Sequence, residues 1–207
     1  FVHAFMKIAG PARSKADLIQ KTARLDCTAI GALYQEMIGQ RRQGAQFVID
    51  KTPANFLYIG LIAKALPTAR IIHLRRHPLD NCYAMYKTLF QMGYPYSYAL
   101  DDLGAYYIAY HRLMAHWRAQ LLGRIHDVDY EALVTDQKTQ SKRLVAGCGL
   151  DWQDACLNFH ENKSASATAS AAQVRHPMYT SSVEKWRHYE TQLAPLKAQL
   201  TAAGIDL

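Results

Sequence analysis

Residues 70–90, RIIHLRRHPLDNCYAMYKTLF, carry the strongest indication of the fold that we predict for this chain. Ile71 to Leu74 is predicted to be a short strand, and the paired cations Arg75 and Arg76 follow it directly. Pro78 stands where a proline favours the first turn of a helix. One face of that helix would carry an apolar stripe of Leu79, Tyr83, Tyr86 and Phe90, and the opposite face Asp80, Ala84, Lys87 and Thr88. A strand that ends on two guanidinium groups and turns into a helix is typical of the binding edge of an α/β sheet.

Further units of the same kind flank this stretch. The run FVID, residues 47–50, is predicted to be a strand; Lys51 follows it, and Thr52 and Pro53 offer an N-cap and a first helical position. A third strand is expected at Ile125 to Tyr130. Helical periodicity predicts helices at Ala29 to Arg42, at about 101–122, after the third strand to about Ala146, and beyond a Ser181–Glu184 capping box. The last helix would bury Trp186, Tyr189, Leu193, Leu196 and Leu200. This alternation predicts an α/β fold, with a parallel sheet flanked by helices.

Composition narrows the class of protein. The 207 residues, half of them apolar, can bury one sizeable core. The 24 lysines and arginines against 17 acids give a net charge of +7, which suits an anionic partner without naming it. The four cysteines, Cys27, Cys82, Cys148 and Cys156, show neither zinc-ligand spacing nor a disulfide framework, so we predict no metal and a reducing, cytoplasmic location. No apolar run approaches the roughly 20 residues that span a bilayer, so no membrane partner is expected.

Two cations mark a candidate binding site. In open α/β sheets, ligands lie beyond the carboxyl ends of the strands, where the following helices also present free N–H groups. Arg76 and Lys51 both stand at such ends. They predict a site for a group with several negative charges. For Arg75 and Arg76 alone, solvated charges at a strand end are an equally good interpretation, but the repetition at Lys51 favours function.

Four ordered motifs carry a family resemblance. They are DKTP (50–53), RRHPLDNCYAMY (75–86), DYEALVTD (129–136) and SAAQVRHPMYTSSVEKW (170–186). The chain resembles the sulfotransferases that use 3′-phosphoadenylyl sulfate (PAPS), most of all the bacterial ones often found behind tetratricopeptide repeats, and more distantly the tyrosylprotein sulfotransferases. The resemblance implies a P-loop-like fold and transfer of a sulfuryl group from PAPS, leaving PAP, to a hydroxyl or amine of a small molecule, glycan or peptide. It implies no nucleic-acid partner.

The resemblance also assigns residues around the cofactor. Arg76 would hold the 3′-phosphate, which suits the planar fork of a guanidinium. Eight positions later the family usually has a serine, where this chain has Ala84; the lost hydrogen bond would weaken binding by about 0.5–1.5 kcal/mol. Lys87 or Thr88, one turn further on, could compensate. The remaining contacts to the cofactor implied by the resemblance are Tyr130, Ser170, Gln173, Val174, Tyr179 and Lys185.

Catalysis is assigned to Lys51 and Ser170 by the same resemblance. Sulfuryl transfer resembles phosphoryl transfer in its need for in-line geometry and charge neutralisation. An ammonium beside the leaving oxygen stabilises the transition state more than the ground state. Lys51 would supply that charge, and Ser170 would support the same oxygens. A solvated lysine at a helix start is the alternative interpretation, although a cation there opposes the helix dipole.

Two expected parts of the family do not occur in the sequence. Its members begin with a strand and a phosphate loop resembling PRSGT, followed by a glutamate or histidine base, and the run KIAGPARSK at residues 7–15 is predicted to be only a loop. We therefore expect a partial sulfotransferase domain over residues 1–207, with a helical lead-in at 1–45, the matching region at 46–200 and a loop at 159–180. The first strand and phosphate loop would lie in an upstream segment, beside which a tetratricopeptide domain is a further expected partner.

Two other functions remain open at this point. A non-catalytic nucleotide-binding or interaction module is favoured by the missing loop and by Ala84, and disfavoured by Lys51, Ser170 and Lys185. A phosphoryl-transferring kinase is disfavoured because the sequence has no G-x-x-x-x-G-K-[ST] run.

Overall fold

A computed structural model of the chain describes residues 1–42, 44–91, 93–162 and 173–207, without the side chains of Lys15, Ile19, Arg41 and Gln173. The chain divides into two compact units. The first comprises residues 1–71 with residues 116–121, and the second comprises residues 72–115 with residues 122–207. Each unit has a hydrophobic cluster of its own.

The first unit is helical. Its helices are α1 (Val2–Ala9), α2 (Lys15–Thr22), α3 (Cys27–Arg42) and α4 (Ile59–Ala65), and a 3-10 helix (Pro53–Tyr58) leads into α4. The core consists of Ala4, Phe5, Ile30, Tyr34 and Ala65. Gly31 permits α3 to pack closely on the end of α4, because a Cβ at this position would lie only 2.1 Å from the carbonyl oxygen of Ala65.

The strand predicted at residues 47–50 is wrong. These residues follow no regular secondary structure, and the Phe47, Val48 and Ile49 side chains are exposed, Ile49 to 92%. A strand is stable only when a neighbouring strand pairs with its backbone N–H and C=O groups. The apolar side chains of this run cannot provide such a neighbour. Within the described residues the sheet has two strands, and neither comes from this segment.

The second unit carries the parallel sheet. Strand β1 (Ile71–Arg75) begins at the last residue of the first unit and pairs with β2 (Ile125–Asp129). The helices α5 (Pro78–Tyr86) and α6 (Leu100–Gln120) connect the two strands, and β2 is followed by α7 (Tyr130–Thr135), α8 (Gln137–Gly147) and α9 (Glu190–Ala202). The predicted α/β class, with a parallel sheet and flanking helices, is confirmed.

Polar pairs with a constant offset fix the register of the two strands. His73 contacts Asp127, Arg75 contacts Asp129, and the His77 N–H donates to Glu131, each pair being 54 positions apart. Alternate residues of a strand point to one face, so residues 73 and 75 and their partners lie on the same side of the sheet. A slip by one residue would break the whole series.

The core of the second unit confirms the predicted stripe of the last helix in part. Trp186, Leu193, Leu196 and Leu200 are buried, whereas Tyr189 is 44% exposed. They pack with residues of α5 and α6, namely Leu79, Cys82, Leu103 and Tyr107, and with Ile205.

Several predicted details of this unit are wrong. The helix predicted after β2 is interrupted at Asp136, whose side chain accepts a hydrogen bond from the Thr139 N–H and so starts α8 as a separate helix. Helix α5 ends at Tyr86, so Phe90 lies beyond it and Tyr86 itself is 44% exposed. Asp80, predicted on the face opposite the apolar stripe, is completely buried.

The predicted capping box is also absent from the described structure around residues 181–184. Glu184 has a left-handed backbone, φ 57°, and its side chain makes no capping hydrogen bond at the 3-10 helix that follows, Lys185–Tyr189. Such a conformation costs a residue with a Cβ about 1–2 kcal/mol. Other contacts must therefore hold this turn.

No helix in the described ranges is both long enough and apolar enough to cross a membrane.

Candidate functional site

Arg76 lies at the centre of the candidate site, directly after β1. Its guanidinium donates a hydrogen bond from Nη2 to the carbonyl oxygen of Ser182, and its Cζ lies 5.2 Å from the ring centroid of Tyr130. Nε is buried and has no hydrogen-bond partner among the described residues. The tyrosine ring and the carbonyl thus restrain a cation that still has donor capacity left.

A cavity of about 370 Å³ opens beside this guanidinium. Its lining residues are Leu74, Arg76, Asn81, Tyr110, Tyr130, Tyr179 and Ser182. Among these residues are a guanidinium, an amide and hydroxyl groups, all of which can donate hydrogen bonds, and there is no carboxylate. The cavity therefore suits an anion.

The neighbouring Arg75 has a different environment. Its Nη2 lies 2.7 Å from Asp129 Oδ1, and both side chains are about half exposed. The paired arginines thus divide two tasks: Arg75 ties β1 to β2, and Arg76 faces the cavity. The alternative interpretation, solvated charges at a strand end, therefore applies in part to Arg75 and does not apply to Arg76.

A late segment of the chain, residues 182–186, closes one side of the site. Asp80 accepts hydrogen bonds from the Glu184 N–H at Oδ2 (2.6 Å) and from the Trp186 N–H at Oδ1 (3.0 Å). The Trp186 ring stacks on His77 at 5.5 Å between centroids, with 5° between the planes. Burial lowers the pKa of His77, although the nearby carboxylates of Asp80 and Glu131 act in the opposite direction.

Three of the predicted cofactor residues line the same cavity: Arg76, Tyr130 and Tyr179. Lys185 is half-buried and lies between the two residues whose N–H groups bind Asp80. Sequence reasoning missed Asn81, Tyr110 and Ser182, as well as Asp80. Helical periodicity placed Asp80 opposite the apolar stripe and could not show its burial, because its partners lie more than a hundred residues away.

Other predicted residues lie outside the cavity lining. Thr88 donates its hydroxyl to the carbonyl oxygen of Ala84 (2.7 Å), and Lys87 Nζ lies 5.2 Å above the ring of Tyr83. Both side chains are exposed. Neither residue is among those that line the cavity.

The predicted loop at 159–180 is described only at its ends. A 3-10 helix, Phe159–Glu161, lies at one end, and a second, Gln173–Arg175, at the other. Val174 is 40% exposed there. Ser170 and the side chain of Gln173 lie outside the described residues.

Lys51 belongs to the first unit. It is exposed and lies in the extended segment before the 3-10 helix that begins at Pro53. The preceding Asp50 accepts hydrogen bonds from the Tyr34 hydroxyl (3.0 Å) and from Asn55 Nδ2 (3.4 Å). Burial, and then the Asp50 charge, raise the pKa of Tyr34 to about 12, so the phenol remains a donor to this carboxylate. These contacts fix the backbone that carries Lys51.

Comparisons with known proteins identify the family. A model of the sulfotransferase family matches residues 4–154. An uncharacterised protein of Aquifex aeolicus (strain VF5) is 36% identical over 154 residues, which are 72% of this chain and 20% of that protein. The chain thus spans about a fifth of the length of this curated relative.

Two solved structures have the same fold. The sulfotransferase domain of the curacin biosynthetic pathway aligns with 99% of this chain and 78% of its own, at a TM-score of 0.61 and 16% identity. The sulfotransferase domain of the Synechococcus PCC 7002 olefin synthase aligns with 99% of this chain and 74% of its own, at a TM-score of 0.62 and 20% identity. At these identities the likeness concerns the fold. Because the family model covers most of its residues, the chain belongs to the sulfotransferase family.

Proposed function

We propose that this protein transfers a sulfuryl group from PAPS to a hydroxyl or amine of a small molecule, glycan or peptide. The observation that carries the proposal is the half-buried guanidinium of Arg76, restrained by Tyr130 and Ser182 at the wall of a cavity without a lining carboxylate. Family membership supports the reaction class.

The residues around the cavity fit the phosphate end of this cofactor. The buried Nε of Arg76 offers a donor that no described residue uses, and Asn81 and the hydroxyls of Tyr130 and Tyr179 add further donors. A guanidinium can bind two phosphate oxygens at once when its planar fork faces them. In this proposal Arg76 holds the 3′-phosphate, Tyr130 and Tyr179 flank the nucleotide, and Lys185, Ser170 and the segment 173–174 close over it.

The reaction itself needs a positive charge at the leaving oxygen. Bound PAPS would supply an activated sulfuryl group, and the protein would supply orientation and charge. We assign this charge to Lys51, whose backbone is restrained through Asp50. Ser170 would donate a supporting hydrogen bond to the same oxygens. The proposal also includes three further parts: a base toward the acceptor, an upstream phosphate loop and a tetratricopeptide neighbour. A cytoplasmic location is favoured by four unpaired cysteines, all of them in the described part of the chain.

Titration calorimetry with PAP tests the cofactor site. Arg76→Ala, in the protein at its natural length, should weaken PAP binding by about 1.5–3 kcal/mol, since hydrogen bonds to charged groups have this size. Arg75→Ala is the matched control: it removes the same charge from the adjacent residue, which is bound to Asp129. We expect near wild-type affinity in that variant. Equal losses in both would indicate a general charge effect and no site at Arg76.

Lys51→Met tests the catalytic assignment. The substitution keeps much of the aliphatic stem and removes the ammonium, so packing should change little. Loss of a preorganised charge-stabilising group commonly lowers kcat on the order of 100-fold, while PAP affinity should stay close to that of the wild type. The measurements are a sulfate-transfer assay and PAP calorimetry. Loss of affinity in proportion to rate would make Lys51 a binding cation.

A non-catalytic PAP-binding module is the second candidate. It is favoured by Ala84, which lacks the expected hydroxyl, and by the engagement of Thr88 with the Ala84 carbonyl. Such a module would bind PAP through Arg76 and transfer no sulfate, and Lys51→Met would then change neither property.

A further inference from the structure

Asp80 is a buried acid that the proposed chemistry does not use. Its side chain is completely buried in the first turn of α5. Burying a carboxylate is unfavourable unless hydrogen bonds replace its water, and here two backbone donors do so: the N–H groups of Glu184 and Trp186, 104 and 106 residues further along the chain. An amide donor to a carboxylate is a strong, charge-assisted hydrogen bond.

The two donors belong to a turn with two backbone hydrogen bonds of its own, from the Val183 N–H to the Thr180 carbonyl and from the Arg187 N–H to the Glu184 carbonyl, and neither uses the N–H groups that bind Asp80. Glu184 has the left-handed backbone that favours glycine, and its own side chain forms an exposed pair with Arg187 instead of a cap. Because the N–H groups on either side of Lys185 both bind Asp80, this carboxylate fixes the backbone at 184–186. The stacking of Trp186 on His77 is a further contact of the same turn.

The same segment controls the direction of Arg76. Ser182, two residues before Glu184, accepts the hydrogen bond from Arg76 Nη2 with its carbonyl oxygen, and both residues line the cavity. Movement of the turn would move this carbonyl and free the guanidinium to rotate. A continuous series of contacts thus runs from Asp80 through the turn and Ser182 to Arg76.

We infer that Asp80 is a positioning residue of the anion site: it anchors the 182–186 segment so that Ser182 directs the Arg76 guanidinium toward the cavity. The inference rests on the proposed function in one respect: it takes the bound anion to be PAP. A merely structural carboxylate would affect the unfolding temperature alone. A positioning carboxylate also affects affinity in the folded protein.

The test compares Asp80→Asn with Cys82→Ala in the protein at its natural length. Asn keeps the size of the side chain but turns an NH₂ donor toward one of the backbone N–H groups. Cys82 lies on the same helix and is equally buried, so Cys82→Ala controls for destabilisation of α5. At a temperature where all proteins are folded, PAP calorimetry should show at least a 10-fold weaker Kd for Asp80→Asn and a change within 2-fold for Cys82→Ala. Equal affinities in Asp80→Asn and Cys82→Ala would overturn the inference.

The NMR signal of the Arg76 side chain tests the role of Asp80 without PAP. In ¹⁵N-edited spectra, the Nε–H signal of Arg76, assigned by its loss in Arg76→Lys, should shift or broaden in Asp80→Asn and stay in place in Cys82→Ala. An unchanged signal in Asp80→Asn would overturn the inference. If wild-type protein does not bind PAP, the proposed function fails, whereas a shifted Arg76 signal still supports positioning by Asp80.

Hydrogen exchange on the wild-type protein needs no variant. The Glu184 and Trp186 amides should be protected although the neighbouring side chains of Glu184 and Arg187 are exposed. Exchange of both amides at the rate of an unstructured chain would show that Asp80 does not hold the turn, and would overturn the inference even if Asp80→Asn fails to fold.

Discussion

The chemistry of single residues depends here on partners far away in sequence, and the pKa of His77 is an example. Burial lowers that pKa from its ordinary value of about 6.5. Below about pH 6.5 the unfolded chain takes up a proton that the folded protein resists, so the folded state loses stability as the pH falls. His77→Phe keeps a flat ring against Trp186 and cannot be protonated. We predict that thermal melts between pH 7.5 and pH 5 show a smaller loss of stability in His77→Phe than in the wild type, with exposed His188→Gln as the control. Identical pH profiles would exclude His77.

At the scale of elements, the polar pairs between β1 and β2 differ in their energetic weight. His73 Nδ1 lies 2.7 Å from Asp127 Oδ1, with side chains only 11% and 27% exposed, whereas Arg75 and Asp129 are 45% and 52% exposed. Water screens the outer pair, which should contribute about 0–1 kcal/mol. The inner pair should contribute about 1–3 kcal/mol, because its loss leaves polar groups poorly solvated. We therefore predict that Asp127→Ala lowers the free energy of unfolding more than Asp129→Ala does, as measured by urea denaturation. A larger loss for Asp129→Ala would contradict this ranking.

For the whole molecule, the four cysteines report on the packing of different regions. Cys82 is completely buried in the core of the second unit, and burial raises the pKa of its thiol to about 12. Only the thiolate reacts with Ellman's reagent, so at pH 8 Cys82 should stay unmodified until that core unfolds. Exposed Cys156 should react first, and the half-buried Cys27 and Cys148 more slowly. Mass spectrometry of the labelled peptides distinguishes the sites, and Cys82→Ala should remove the slowest thiol. Labelling of Cys82 in the native protein as fast as Cys156 would contradict the described core.

Elements held by local hydrogen bonds were predictable from the amino-acid sequence. Helix hydrogen bonds join residues four positions apart, so α3, α6 and the buried stripe of α9 could be predicted from periodicity. Strands β1 and β2 were also predictable, because each is a short run that contains β-branched residues. The cation at the end of β1 and the family motifs were also visible in the sequence. The family is confirmed.

Which of these sequence signals mattered depended on contacts that form only in the folded chain. The apolar run at residues 47–50 lacks a strand partner in the described sheet, and a strand depends on such a partner more than on its own residues. Arg75 and Arg76 are equivalent in sequence, yet Asp129 binds one and the Ser182 carbonyl directs the other. Asp80 falls opposite the apolar stripe by helical periodicity, yet it is buried, and its two donors come from residues 184 and 186. Contacts across more than a hundred residues leave no periodic trace in a sequence, so the arrangement around Arg76 became visible only in the folded chain.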